Sequence, residues 1–431
     1  MVSRRVALTA VLAALLLLAG CTAPTPPPDV ANGGEIEGEE APAGDDSTTS
    51  ADRDDADTES HPDLDLDEDA VWDEVATMMD SDAQQPDLFV DEMPAGADQA
   101  FEPQQSEFQD ALNATESSPS GSGTSGLAMP GSVYVFPDGP DEEVEQVLVH
   151  EYAHAIQFAD GMFASWLRSA PGTTDEELLQ TSLIEGGAVY VADEYTEENF
   201  PEFPAQSEQM AASYEAAPAG DRLLLAPYHY GAEYVHAEID SADELPEVYR
   251  SHPVTTAEML DPDGHPPATD LDVDVETSNS DWSVQRTDRK GELYTRIVLD
   301  TELSHDEATD AAAGWSDDEL VAFEDVDGQE AFVWTTHWES EDNADAFAAA
   351  FDSKLDSRTD DWADRTVVER VDDRTVSVLI GPDEFRSAVD TTVTNGTIDI
   401  DLGSTTAAPA MTTPAQSTPT SATGADATVS S

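Results

Sequence analysis

The sequence predicts an α+β fold: a mostly helical domain over about 129–266 with a small edge-stranded sheet, then a small α+β module over 281–402. Three observations predict it. Between 141 and 195 apolar residues recur at helical spacing, as Val144, Val147, Leu148, Ala155 and Phe158 do. Short runs rich in β-branched and aromatic residues, 131–136 and 331–338 among them, read as strands. Stretches dense in Pro, Gly, Ser and Thr bracket or interrupt these regions at 22–66, 117–126 and 403–431.

Charge narrows the function classes before any motif is read. The 431 residues carry 16 Lys+Arg against 94 Asp+Glu, a formal net charge of −78. Phosphate binding needs clustered cations, so nucleic acid is excluded as a partner. Only two of the cations are lysines, Lys290 and Lys354, and the acids run throughout the chain. Such a coat suits concentrated salt, where the Debye length shrinks to about 3 Å and self-repulsion is screened. A halophilic source is the expectation.

Taken in order, residues 1–20 read as a signal peptide. Arg4 and Arg5 precede an apolar run at 6–19, too short to span a bilayer of about 30 Å. The run ends Leu18-Ala19-Gly20-Cys21, which resembles a lipobox whose cysteine is lipidated. Membrane attachment through Cys21 at the extracellular face is expected, with secretion as the alternative if Cys21 is not modified. Cys21 is the only cysteine, so no intrachain disulfide forms. Residues 21–66 lack the apolar side chains to offset ordering entropy and read as an acidic stalk. Residues 67–128 read as a short helical region and a flexible break, and 403–431 as a Thr/Ser/Pro tail. Sequons stand at Asn113 and Asn395.

The chemistry is expected in 131–200. A strand at 131–136 ends in the turn residues Pro137-Asp138-Gly139-Pro140. A helix then opens on Asp141, Glu142 and Glu143, as the macrodipole favours, and carries His150-Glu151-Tyr152-Ala153-His154. Histidines four apart share a helix face and can grip one zinc ion, and the adjacent glutamate leans toward an open metal position as general base. A second helix at 175–195 carries Glu185-Gly186-Gly187-Ala188, with thirty residues between His154 and Glu185. Glycine costs about 1 kcal/mol in a helix relative to Ala, so close packing on the metal helix would account for the pair.

These motifs resemble the gluzincin zinc metallopeptidases, which pair HExxH with a Glu in E-G-x-A, and most closely the peptidase-MA-like surface lipoproteins of haloarchaea. The resemblance covers about 129–265. It implies a zincin-like fold, Zn2+ held by His150, His154 and Glu185, Glu151 as general base for a metal-activated water, and a peptide or protein substrate lying along an edge strand at 131–136. By the same resemblance Tyr228, in Pro227-Tyr228-His229-Tyr230-Gly231, would donate to the oxyanion, with His229 as the fallback. The segments 253–262 and Gly314-Trp315-Ser316-Asp317-Asp318 also resemble segments of these proteins. Two departures stand out: the spacing to Glu185 is longer than in thermolysin-like members, and position 189 is Val where those carry a histidine-orienting Asp. An inactive surface lipoprotein that binds a partner or an envelope component is the alternative, and a solute-binding lipoprotein a third.

In the C-terminal module, 297–303 and 331–338 read as strands, 342–355 as a helix and 366–380 as a hairpin. Trp334 and Trp338 are expected in the core. The isolated His305 and His337, and the acidic runs 63–69 and 270–274, read as surface features rather than metal sites.

Overall fold

The computed structural model describes residues 64, 66–94, 106–117, 125–164, 166, 172–262, 264, 272–279, 281–394 and 397–403. Cys21, Asn395, the stalk but for Leu64 and Leu66, and the tail beyond Gly403 lie outside them, and those two leucines pack against the core. The described chain is a mixed α and β protein with three small sheets. Among the described residues, no helix is long and apolar enough to cross a membrane.

The first part runs α1 (Glu68–Met78), β1 (Asp87–Val90), α2 (Glu107–Ala111), β2 (Gly126–Met129), β3 (Ser132–Val135), α3 (Asp141–Ala159), α4 (Thr174–Asn199), α5 (Gln206–Ala216), α6 (Ala219–Glu238), α7 (Leu245–Arg250) and α8 (Thr256–Leu260). Each of α1, α3 and α4 opens with acids in its first turn, which complement the positive helix N-terminus. Helices α3 and α4 bury nearly all their middle turns, and Trp72 of α1 meets Tyr152 of α3 edge-on at 5.2 Å. The predicted strand at 131–136 is present as β3, but it is not an edge. It lies between β1, parallel to it, and β2, antiparallel to it. The edge nearest the helices is β2, drawn from the end of the expected flexible break.

The second part comprises β4 (Asp272–Thr277), β5 (Trp282–Asp288), α9 (Gly291–Leu299), α10 (His305–Ala312), β6 (Trp315–Asp325), β7 (Glu330–Trp338), α11 (Glu341–Ser357), α12 (Asp361–Asp364), β8 (Thr366–Arg370), β9 (Thr375–Ile380), α13 (Asp383–Arg386), β10 (Val389–Thr394) and β11 (Thr397–Leu402). Strands β5-β6-β7-β9-β8 form an antiparallel sheet, and β10-β11-β4 a smaller one. The expected hairpin at 366–380 is β8–β9, and the expected helix is α11. The segment 297–303, read as a strand, instead supplies the last turn of α9 (297–299) and the turn that follows it: the apolar residues between Leu293 and Leu299 are buried against neighbouring helices, and a short run of this kind carries no period of its own.

One side of the five-stranded sheet shares a single apolar cluster with helices α1 to α11, in which Trp334, Trp338, Phe347 and Phe351 are fully buried. Its other side packs Val321, Phe323, Val333 and Leu379 against Ile398, Ile400 and Leu402 of the smaller sheet. The core therefore runs through both expected domains without a break. Asp318 pins the start of α9 to the five-stranded sheet. Its carboxylate accepts from the backbone N–H of Lys290 and Gly291 and from the indoles of Trp315 and Trp334, at 2.8–3.1 Å.

Candidate metal centre

Helix α4 is held at its N-terminus from both parts of the chain. Asp288 accepts from the Thr174 backbone and hydroxyl, and the buried Asp175 carboxylate accepts from Thr256 N–H at 3.0 Å and Thr256 hydroxyl at 2.5 Å. Thr255 caps α8, and the Glu258 carboxylate accepts from Val254 N–H at 2.8 Å. The segment 253–262, for which the sequence offered no role, is thus a capped turn that clamps the helix bearing Glu185.

Three turns along α4, Glu185 meets the two histidines of α3. His150 Nε2, His154 Nε2 and Glu185 Oε2 lie 2.9, 3.3 and 3.2 Å apart pairwise. His150 and His154 are fully buried and Glu185 is 4% exposed. Among the described residues this is the group of His, Cys, Asp and Glu side chains that could hold a metal ion. Burial pushes the His150 imidazole below its ordinary pKa; for His154, burial acts in the same sense but the Glu185 carboxylate outweighs it and the net shift is upward. Burial would raise Glu185, yet His154 and His150 overcome it and hold the carboxyl at about 2.

The donor chemistry fits a metal ion. His150 Nδ1 lies 2.8 Å from Gln206 Oε1, and His154 Nδ1 2.8 Å from Gln157 Oε1. Amide oxygens accept, so each Nδ1 carries the ring proton and each Nε2 turns a lone pair toward the other and toward a carboxylate. With both rings neutral, three lone pairs converge in a dry site that can take a cation in place of the extra proton that Glu185 favours on His154, and two imidazoles with one carboxylate are a zinc donor set. These glutamines do what the missing Asp at 189 was expected to do; Val189 is simply buried. Gln157 was within reach of the sequence, three residues past His154 on the same helix face. Gln206 was not, because its position depends on the loop that starts α5.

The remaining expected site residues divide. Glu151 is fully buried beneath β2, so closely that a Cβ at Gly126 would lie 2.5 Å from Glu151 Oε1. Tyr228 is brought to the site, its ring stacked on that of His150 at 6.0 Å. His229 is not: it turns to Tyr214 and Tyr230, with centroids 5.1 and 4.5 Å away. The glycines also acquire reasons. A Cβ at Gly186 would lie 2.1 Å from the Gly231 carbonyl carbon, and one at Gly231 would lie 1.9 Å from Ser182 O. Gly186 therefore packs on α6 rather than on the metal helix, while Gly187 leaves room for Tyr249 and for Gln157 of α3. Asn113 has φ 58° and donates its amide to Glu302 at 2.8 Å, so a glycan there would displace a formed contact. His305 and His337 pair with Asp300 and Thr375, outside the site.

Residues 281–408 match a family described as a domain of unknown function (DUF8575). No curated protein and no solved structure matches the sequence.

Proposed function

We propose that this chain is a zinc-dependent metallopeptidase of the gluzincin type, exported and held at the outer face of the cell membrane by a lipid on Cys21. Its substrate is a peptide or protein. The observation that carries this reading is the convergence of His150 Nε2, His154 Nε2 and Glu185 Oε2 within 3.3 Å, one residue from the glutamate of the same H-E-x-x-H turn. Zinc bound there supplies a Lewis acid for the scissile carbonyl and makes water a better nucleophile at neutral pH. Glu151 takes the proton of the attacking water and passes it to the leaving amine. Tyr228 is the donor that meets the oxyanion. The charge of −78 fits work in concentrated salt.

One observation favours a second reading, a surface protein that keeps the scaffold and binds a partner: His150, Glu151, His154 and Glu185 are all buried. Glu151→Gln separates the two. A peptidase keeps its zinc in this variant and loses hydrolysis of a peptide library by about 10²-fold or more. Equal hydrolysis by variant and wild type would remove Glu151 from the mechanism.

A further inference from the structure

We propose that Gln157 is the positioning residue of this centre: its carboxamide bridges the second metal-ligand histidine to the backbone that carries the glutamate ligand. The inference rests on the reading that His150, His154 and Glu185 hold zinc, and adds the device that sets their spacing. Gln157 Oε1 faces His154 Nδ1 at 2.8 Å. Its Nε2 faces Ile184 O at 3.1 Å and Tyr249 Oη at 2.8 Å.

A backbone carbonyl can only accept, so the nitrogen end of the amide must face Ile184. The oxygen end is then committed to His154, and the imidazole is held as the Nδ1–H tautomer with Nε2 free to ligate. Ile184 is the residue before Glu185. One side chain on α3 thus fixes the tautomer of one ligand and the separation of α3 from the turn of α4 that presents another. A carboxylate at 157 would still accept from His154 but would set an oxygen against the Ile184 carbonyl. This explains a carboxamide where histidine ligands more often lean on a carboxylate.

Two further residues are shaped around the bridge. Gln157 is fully buried and Tyr249 is 3% exposed. A Cβ at Gly187 would lie 2.2 Å from Tyr249 Oη and 3.1 Å from Gln157 Nε2, so a glycine there makes the space the bridge occupies. Residues of α3, α4 and α7 are therefore fitted to one another at a point beside the ligands.

The test uses the full chain, labelled with 15N-histidine, freed of metal by chelation and kept in high salt. Ring-nitrogen shifts report the His154 tautomer, competition with a chromophoric chelator reports zinc affinity, and thermal unfolding of the metal-free form reports the fold. We expect wild type to show Nδ1–H at His154. Gln157→Leu should lose that tautomer preference and bind zinc about 10- to 100-fold more weakly. Gln157→Glu, closer in size and read in the same way should the leucine variant not fold, should keep the tautomer yet still bind zinc more weakly. An unchanged tautomer in Gln157→Leu, or zinc affinity within about twofold of wild type in a folded variant, would overturn the proposal. If wild type itself takes no zinc, the peptidase reading fails, and the metal-free tautomer still decides the role of Gln157.

Discussion

Buried charged side chains in this protein differ in how fully they are answered. Asp318 is ringed by four N–H donors, whereas Asp175 accepts from Thr256 with one oxygen and sets the other 3.3 Å from Arg289 Nε without a hydrogen bond. Among the described residues, Lys354 finds no carboxylate as a hydrogen-bond acceptor. It is fully buried, its ammonium donates to Leu112 O and to the Thr301 hydroxyl, and burial, with Arg358 nearby, depresses its pKa to about 7. The sign of its effect on stability follows. The unfolded lysine titrates near its ordinary 10.5, so between about pH 7 and 10.5 the unfolded chain binds the extra proton and stability rises with pH. Wild type should gain on Lys354→Met by up to about 1.4 kcal/mol per pH unit across that window in denaturant unfolding. Parallel pH profiles for the two proteins would contradict this assignment.

Helices α4 and α6 approach so closely because each has a glycine at the crossing. Gly231→Ala would drive a methyl group into Ser182 O, and overpacking against backbone costs about 1–3 kcal/mol. A midpoint lowered accordingly, with weaker zinc retention, is the expected result; a change under about 0.5 kcal/mol would mean the crossing has slack. The same elements mark what could be read from the sequence. Helices α3 and α4 were legible because their apolar residues repeat at 3.6-residue spacing, and the candidate metal ligands because His150, His154 and the Glu185-Gly186-Gly187 run carry local patterns. The centrality of β3 was not legible, since its parallel partner β1 arrives from a stretch that read as helical. Nor was α9, whose Ile297-Val298-Leu299 run suits a buried strand as well as a buried helix. Gln206 and Tyr249 reach the centre only through the packing of α5 and α7, which no local pattern encodes.

Across the whole molecule, the two expected domains share one apolar cluster, and Asp288 at the end of β5 ties the C-terminal sheet to Thr174 at the start of the Glu185 helix. The region matched by the domain of unknown function is thus part of the support of the candidate metal centre. The charge of −78 acts on this entire body. Raising salt from about 0.1 M to about 1 M shortens the Debye length from about 10 Å to about 3 Å, so the unfolding temperature should climb steeply over that range. A flat profile would contradict the halophilic reading. The central claim is that two buried histidines and a glutamate form a zinc site, and it is tested most directly by elemental analysis of protein purified in high salt, wild type beside His154→Ala. The account predicts about one zinc per chain in wild type and its loss in the variant. Wild type without zinc after resupply, or a variant that keeps it, would contradict the account.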